Sequence, residues 1–317
     1  MRRKFSSAIL IIASLNGCDN SSTCSIAENE NGLKEYLNKV KAEQVFVKGG
    51  QFKMGDFGIE HYKEHLPLDR YLNSKPLHKV TLSNFSISKF KTTNFQYQFY
   101  LKQTGRKLQK VDGDLSKKNW DDLNKLPDTP AHATWQQAAD YCSWLAEKTN
   151  LPFTLPTEAQ WEYAARSGGK YYVVGTDDGT WKIKDNKGIN ISTSEDRQEW
   201  SEAQGLNSSI YAAMPVDHYP PNPLGLYDIS GNGLDWVKDW YDPNYYKYSP
   251  ENDPQGPDNP SFKDRHGRYI KVARGEYLSD PGRGITITRK GGVQTKGDRV
   301  PSTTTIRCVV NSAEPIT

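Results

Sequence analysis

GLYDISGNGLDWVKDWY, spanning Gly225–Tyr241, decides how the rest of the chain is read. Gly231-Asn232-Gly233 at its centre makes a tight turn, because glycine and asparagine tolerate the left-handed backbone that turns demand. Such a turn exposes backbone carbonyls, and Asp228 and Asp235 stand on either side of it. The group offers a hard cation several oxygens at short range, the kind of donor Ca²⁺ takes. A polar surface turn between two buried aromatic segments accounts for the same spacing.

Outward from that stretch, 317 residues suffice for one large domain or two ordinary ones. Hydrophobic residues make up only 35%, yet Tyr, Phe and Trp number 18, 10 and 8, beside 25 Gly and 18 Pro. That mix predicts a globular, loop-rich protein whose core is built from aromatic side chains rather than long aliphatic helices. The formal charge is +3, and Arg2, Arg3 and Lys4 account for all of it. Nothing therefore argues for nucleic acid, which needs a strong basic bias.

Those three cations open a targeting segment, and Ala8–Leu15 is an apolar run too short to span a bilayer. Leu15-Asn16-Gly17-Cys18 then resembles a bacterial lipobox. Residues 1–17 read as a lipoprotein signal peptide, and Cys18 as the lipidated first residue that anchors the chain to a membrane. Asp19 after it favours the inner membrane, facing the periplasm, with the outer membrane as the alternative. Residues 18–44 are expected to be a flexible tether and lead-in, since Asn20–Gly32 is polar and lacks aromatics, and Gly32–Val40 has a weak helical pattern. Cys24 falls in the tether. The remaining Cys142 and Cys308 lie in apolar surroundings, where an exported protein can oxidise them. No CxxC or Cys/His cluster appears, so zinc is not expected.

From Val45 onward the pattern is that of one domain. Val45–Val47 and Phe52–Gly55 read as short strands around a glycine turn, and Val80, Leu82, Phe85 and Ile87 mark a strand pair within His78–Ser88. A helix capped at Thr93 or Asn94 runs to about Thr104. Thr134 with Gln137, and Thr157 with Gln160, form capping boxes, since hydroxyl and amide can each satisfy an orphan backbone N–H. The first of these helices turns Trp135, Ala138, Cys142 and Leu145 inward, and the second buries Trp161, Ala164 and Ala165. Lys107–Pro130, Lys170–Pro223 and Tyr241–Arg268 read as loops, and Tyr269–Ala273 and Thr305–Val310 as the last strands.

Seven segments in order resemble the formylglycine-generating enzymes, also called sulfatase-modifying factors. They are Val47–Gly55, Thr92–Tyr97, Pro130–Leu145, Leu155–Arg166, Gly225–Trp240, Val272–Gly275 and Ile306–Val309. The resemblance implies a single α+β domain over residues 45–317, irregular, loop-rich and C-type-lectin-like, with Cys142 and Cys308 joined in a disulfide. It also implies that Asp228, the carbonyls of Gly231 and Gly233, and Asp235 bind a structural Ca²⁺, with Asn190 and Ile191 as half of a second site.

The resemblance stops where the chemistry should be. Family enzymes oxidise a substrate cysteine with two copper-binding cysteines, and soft Cu(I) needs thiolates. The corresponding stretch, Gly275–Arg289, contains no sulfur, so no copper and no catalytic residues are expected. Ser279 and Asp280 lack a nucleophile elbow, which leaves a hydrolase without support. The leading expectation is a non-catalytic, lipid-anchored periplasmic domain that binds a protein partner, as an envelope accessory factor or an immunity protein against a periplasm-targeted toxin. Tyr241, Tyr245, Tyr246 and Tyr248 are the expected contact surface, since tyrosines bind well while staying soluble. The alternatives are a protein-modifying oxidoreductase and a glycan-binding module.

Overall fold

The computed structural model describes residues 21–109, 114–293 and 303–316. Cys18 and Asp19, with the expected signal peptide, lie outside them. Ser21–Ala42 is one helix, α1, where a flexible tether was expected over Asn20–Gly32. Neither proline nor glycine interrupts Ser21–Asn31, and Ala27, Glu28 and Glu30 favour helix. Contacts divide the chain after Lys39, and Val40–Thr317 packs as one α+β domain.

Strands β1 (Gln44–Val47) and β2 (Gly50–Met54) lead to a single turn of helix, α2 (Gly58–His61), then β3 (His78–Leu82) and β4 (Phe85–Ser88). Helices α3 (Asn94–Gln103), α4 (Asp114–Leu123) and α5 (Trp135–Thr149) follow, then β5 (Phe153–Thr154) and α6 (Glu158–Ala165). A small hairpin of β6 (Ile183–Lys184) and β7 (Lys187–Gly188) precedes α7 (Ser194–Ala203). Last come β8 (Gly233–Trp240), β9 (Ile270–Glu276), β10 (Arg289–Val293), β11 (Thr304–Thr305) and β12 (Val309–Val310).

One sheet has the order β1-β4-β12-β5, so the final strand lies between two earlier ones. The other has the order β10-β9-β8-β11, and the second half of the Gly225–Tyr241 stretch is its inner strand β8. The expected strand over Thr305–Val310 is two short ones. β11 runs parallel to β8, and β12 pairs antiparallel with β4 and β5, the chain crossing between sheets at Ile306–Cys308. Cys308 is bonded there to Cys142 of α5, with Cα atoms 5.8 Å apart.

Both expected capping boxes form, at Thr134/Gln137 and Thr157/Gln160, and Thr93/Gln96 starts α3 in the same way. α6 is buried along its whole length, so Glu158 and Glu162 enter the core beside Trp161. α4 and α7 fall in stretches expected to be loops. α7 shows no apolar stripe because its inward residues are Arg197 and Ser201. Phe85 and Val272 from the two sheets, Phe52 from the separate β2–β3 pair and Tyr245 after β8 close the main core around Trp161 of α6.

Candidate functional site

The turn before β8 is built as its sequence demands. Asp228, Asn232 and Gly233 have φ of 53°, 59° and 112°. A Cβ on Gly233 would meet the Thr305 methyl at 2.4 Å, so glycine is required twice over. Asn232 holds the turn to the Ala212–Val216 segment, donating from Nδ2 to the Met214 carbonyl (2.8 Å) and to Asp228 (2.7 Å). Its Oδ1 accepts from the Met214 N–H at 3.0 Å.

Two of the four groups expected to bind calcium, the Gly233 carbonyl and Asp235, are taken by protein cations. Lys91, in the short connection between β4 and α3, donates from Nζ to the Gly233 carbonyl at 2.9 Å and to Asp235 Oδ1 at 2.8 Å. Asp235 Oδ1 also accepts from the Thr305 hydroxyl (2.9 Å), and Oδ2 accepts from Arg307 Nε (2.9 Å) and Trp161 Nε1 (3.1 Å). Burial pushes the Asp235 carboxyl up, but Arg307 and Lys91 outweigh it and hold it at about 2. Burial conversely draws the Lys91 ammonium down against the pull of Asp235. Enclosure pushes Asp228 up, opposed by the Asn232 hydrogen bond. The residues of this corner do not fit a Ca²⁺ ion.

Nor does the second half-site fit. Asn190 accepts at Oδ1 from the Lys182 N–H and donates at Nδ2 to Asp177 and the Thr180 carbonyl, so its amide is used in closing a loop. The Ile191 carbonyl packs against Gly188, where a Cβ would come within 1.8 Å. Among the described residues, no three His, Cys, Asp or Glu side chains converge to hold a metal.

The stretch Gly275–Arg289 is committed to structure. Ser279 is buried, 3.2 Å from the Ser192 hydroxyl, which accepts from Arg197 Nε. Asp280 instead receives the N–H and hydroxyl of Ser194 at the start of α7. Serine and aspartate thus serve different partners. His132 Nδ1 turns to the Pro130 carbonyl, and burial followed by the Lys91 charge lowers the ring to about 3.

The tyrosine run divides by depth. Tyr245 and Tyr246 are buried, which removes them from the expected contact surface. Tyr246 packs among Glu158, Arg274 and Arg289, with the Arg289 guanidinium 4.4 Å from its ring centre. Glu158 accepts from Arg274 (2.7 Å) and Arg289 (2.6 Å), and this internal ion cluster draws Tyr246 inward. Tyr248 is 56% exposed. Tyr241 walls an open cleft of about 510 Å³ together with Tyr71, Leu72, Asn73, Lys75 and Lys247. Asn73 donates to the Tyr241 hydroxyl at 2.8 Å, and its Oδ1 is buried without a partner. Leu72, 76% exposed, stands at the rim. The Leu66–Asn73 loop that supplies a third of the residues lining this cleft carries no periodic signal, and Lys91 looks in sequence like any linker lysine.

A single disulfide-tied α+β domain with paired sheets and a charged core defines the class. Its family is that of the Sulfatase-modifying factor enzyme 1-like domain, whose model matches residues 32–312, and the chain belongs to it. It is 30% identical over 257 residues to the formylglycine-generating enzyme of Streptomyces coelicolor, covering 68% of this chain and 74% of that one. It is 28% identical over 235 residues to the serine/threonine-protein kinase pkn1 of Chlamydia pneumoniae, spanning 70% of this chain but only 31% of the kinase. Among solved structures, PvdO from Pseudomonas aeruginosa shares the fold with a TM-score of 0.56 at 23% identity, over 84% of this chain and 93% of that one.

Proposed function

We propose that this chain is a lipid-anchored, periplasm-facing member of its family that has given up cysteine oxidation and holds a protein partner instead. One observation carries the reading. Of four cysteines, Cys142 and Cys308 are bonded to each other, and Cys18 and Cys24 precede the domain. No pair of free thiols remains within it for a soft copper ion. The Tyr71–Tyr241 cleft and the neighbouring Tyr248 offer exposed aromatic and aliphatic side chains on a rigid frame, which is where binding surfaces are commonly built. The aromatic walls and the unpartnered amide oxygen of Asn73 also suit a sugar ring, and this supports the glycan reading as the second choice.

Purified protein incubated with a cysteine-containing sulfatase peptide and Cu(I) is expected to leave the peptide mass unchanged. Formylglycine in the product overturns the non-catalytic reading. Photo-crosslinking in cells from position 72 or 248 is expected to give one discrete protein adduct, whereas a glycan array that lights up with no such adduct transfers the cleft to sugar. Cys18→Ala is expected to move the protein from the membrane to the soluble fraction.

A further inference from the structure

We infer that Lys91 is the resident cation of the Asp228–Asp235 turn, so that this domain holds without Ca²⁺ the corner which its family resemblance assigns to the ion. A carboxylate has about four acceptor positions, and Asp235 spends its own on Lys91, Thr305, Arg307 and Trp161. The Gly233 carbonyl, a second expected ligand, also accepts from the Lys91 ammonium. Calcium takes about 6–8 oxygens. To reach these two it must expel an ammonium whose side chain has 0% exposure.

Expulsion is opposed on both sides of the lysine. The Lys89 N–H donates to Glu43 and the Thr92 N–H to Ile306, each at 2.8 Å, so the backbone carrying Lys91 is tied to α1's exit and to the crossing before β12. Arg307 Nη1 donates to the Ser88 and Lys89 carbonyls and closes the same wall. Charge argues in the same direction. Lys91 and Arg307 already bring two positive charges to Asp235, with Asp228 as the other nearby anion. A divalent ion added there would face uncompensated repulsion in a medium that screens poorly. A lysine supplies one charge and three donors, matching one carboxylate oxygen, one carbonyl and the Thr305 hydroxyl at 3.4 Å. The inference is independent of whether the domain catalyses anything.

Bound calcium should be measured by equilibrium dialysis of the full chain and of Asp228→Ala, which removes both carboxylate oxygens, against excess calcium. The two are expected to hold the same amount, and chelation by EDTA is expected to shift their thermal midpoints equally. One calcium more in the wild type, with a midpoint drop on chelation that Asp228→Ala does not share, overturns the inference. Lys91→Ala empties the place of the ammonium while leaving the carboxylates and carbonyls. Its thermal midpoint is expected to rise on adding calcium more than that of the wild type does.

Discussion

Asp235 is enclosed on every side, and the consequences are those of a buried ion pair rather than a metal ligand. Asp235→Asn would leave Lys91 and Arg307 without their shared anion, with both side chains at 0% exposure. Removing one partner of a buried pair costs about 3–5 kcal/mol, because the remaining charge keeps its desolvation penalty. Urea unfolding of that variant should show a loss of this size. The pH response follows from the same groups. Asp235 titrates at about 2 in the fold against an ordinary 3.8, so its stabilisation is present above the ordinary value and is lost as pH falls from there toward 2. His132 acts in a higher window. Its folded value of about 3 lies below the ordinary 6.5, so the unfolded chain takes up a proton that the fold refuses, and stability falls as pH drops from about 6.5 toward 3. The slope from this one group is at most about 1.4 kcal/mol per pH unit. His132→Asn, which can keep a donor toward the Pro130 carbonyl, should flatten the stability profile between pH 6 and 4, roughly the span between the two values. An unchanged profile would mean that other groups govern the acid side.

At the scale of elements, helix starts are the best test of what local sequence can specify. Thr157 opens α6, the helix that carries Glu158, Trp161 and Glu162 into the core, and its hydroxyl accepts from the Gln160 N–H at 3.1 Å. Thr157→Ala should cost about 1 kcal/mol and shift the urea midpoint without changing the slope. The boxes at Thr134 and Thr157 were readable because donor and acceptor sit three residues apart. The box at Thr193 has the same spacing, with Asp196 in place of glutamine, but it opens a helix whose inward residues are polar, so no apolar stripe marks that helix in the sequence. The fold was legible through its ordered segments, each punctuated by glycine, proline or a cap. The candidate site was not. Lys91 meets Asp235 across 144 residues, and no window of sequence contains both. Likewise Tyr245, Tyr246 and Tyr248 look equivalent in YDPNYYKY. Only the Glu158–Arg274–Arg289 cluster, assembled from α6, β9 and β10, decides that Tyr246 turns inward while Tyr248 stays exposed.

At the scale of the whole domain, the chain is closed on itself by its last residues. β12 lies between β4 and β5, β11 lies beside β8, and the segment joining them carries both Arg307 into the Asp235 corner and Cys308 onto α5. Loss of any one of these ties should therefore be felt in both sheets. The disulfide spans 166 residues of sequence, and a loop of that length restrains the unfolded chain by about 4–5 kcal/mol. Both sulfurs are buried in an apolar setting, so replacing them by serine would add unpaired hydroxyls to the loss. The cleaner test is the pair Cys142→Ala with Cys308→Ala, compared with each single variant by urea unfolding under non-reducing conditions. If the bond is the source of the stabilisation, either single substitution removes nearly all of it, and the double variant loses little more, about 4–5 kcal/mol in total. A double variant within about 1 kcal/mol of the wild type would show that strand pairing and the Lys91–Asp235–Arg307 corner suffice to hold the last strand, and that the loop entropy is already spent by residual order in the unfolded chain.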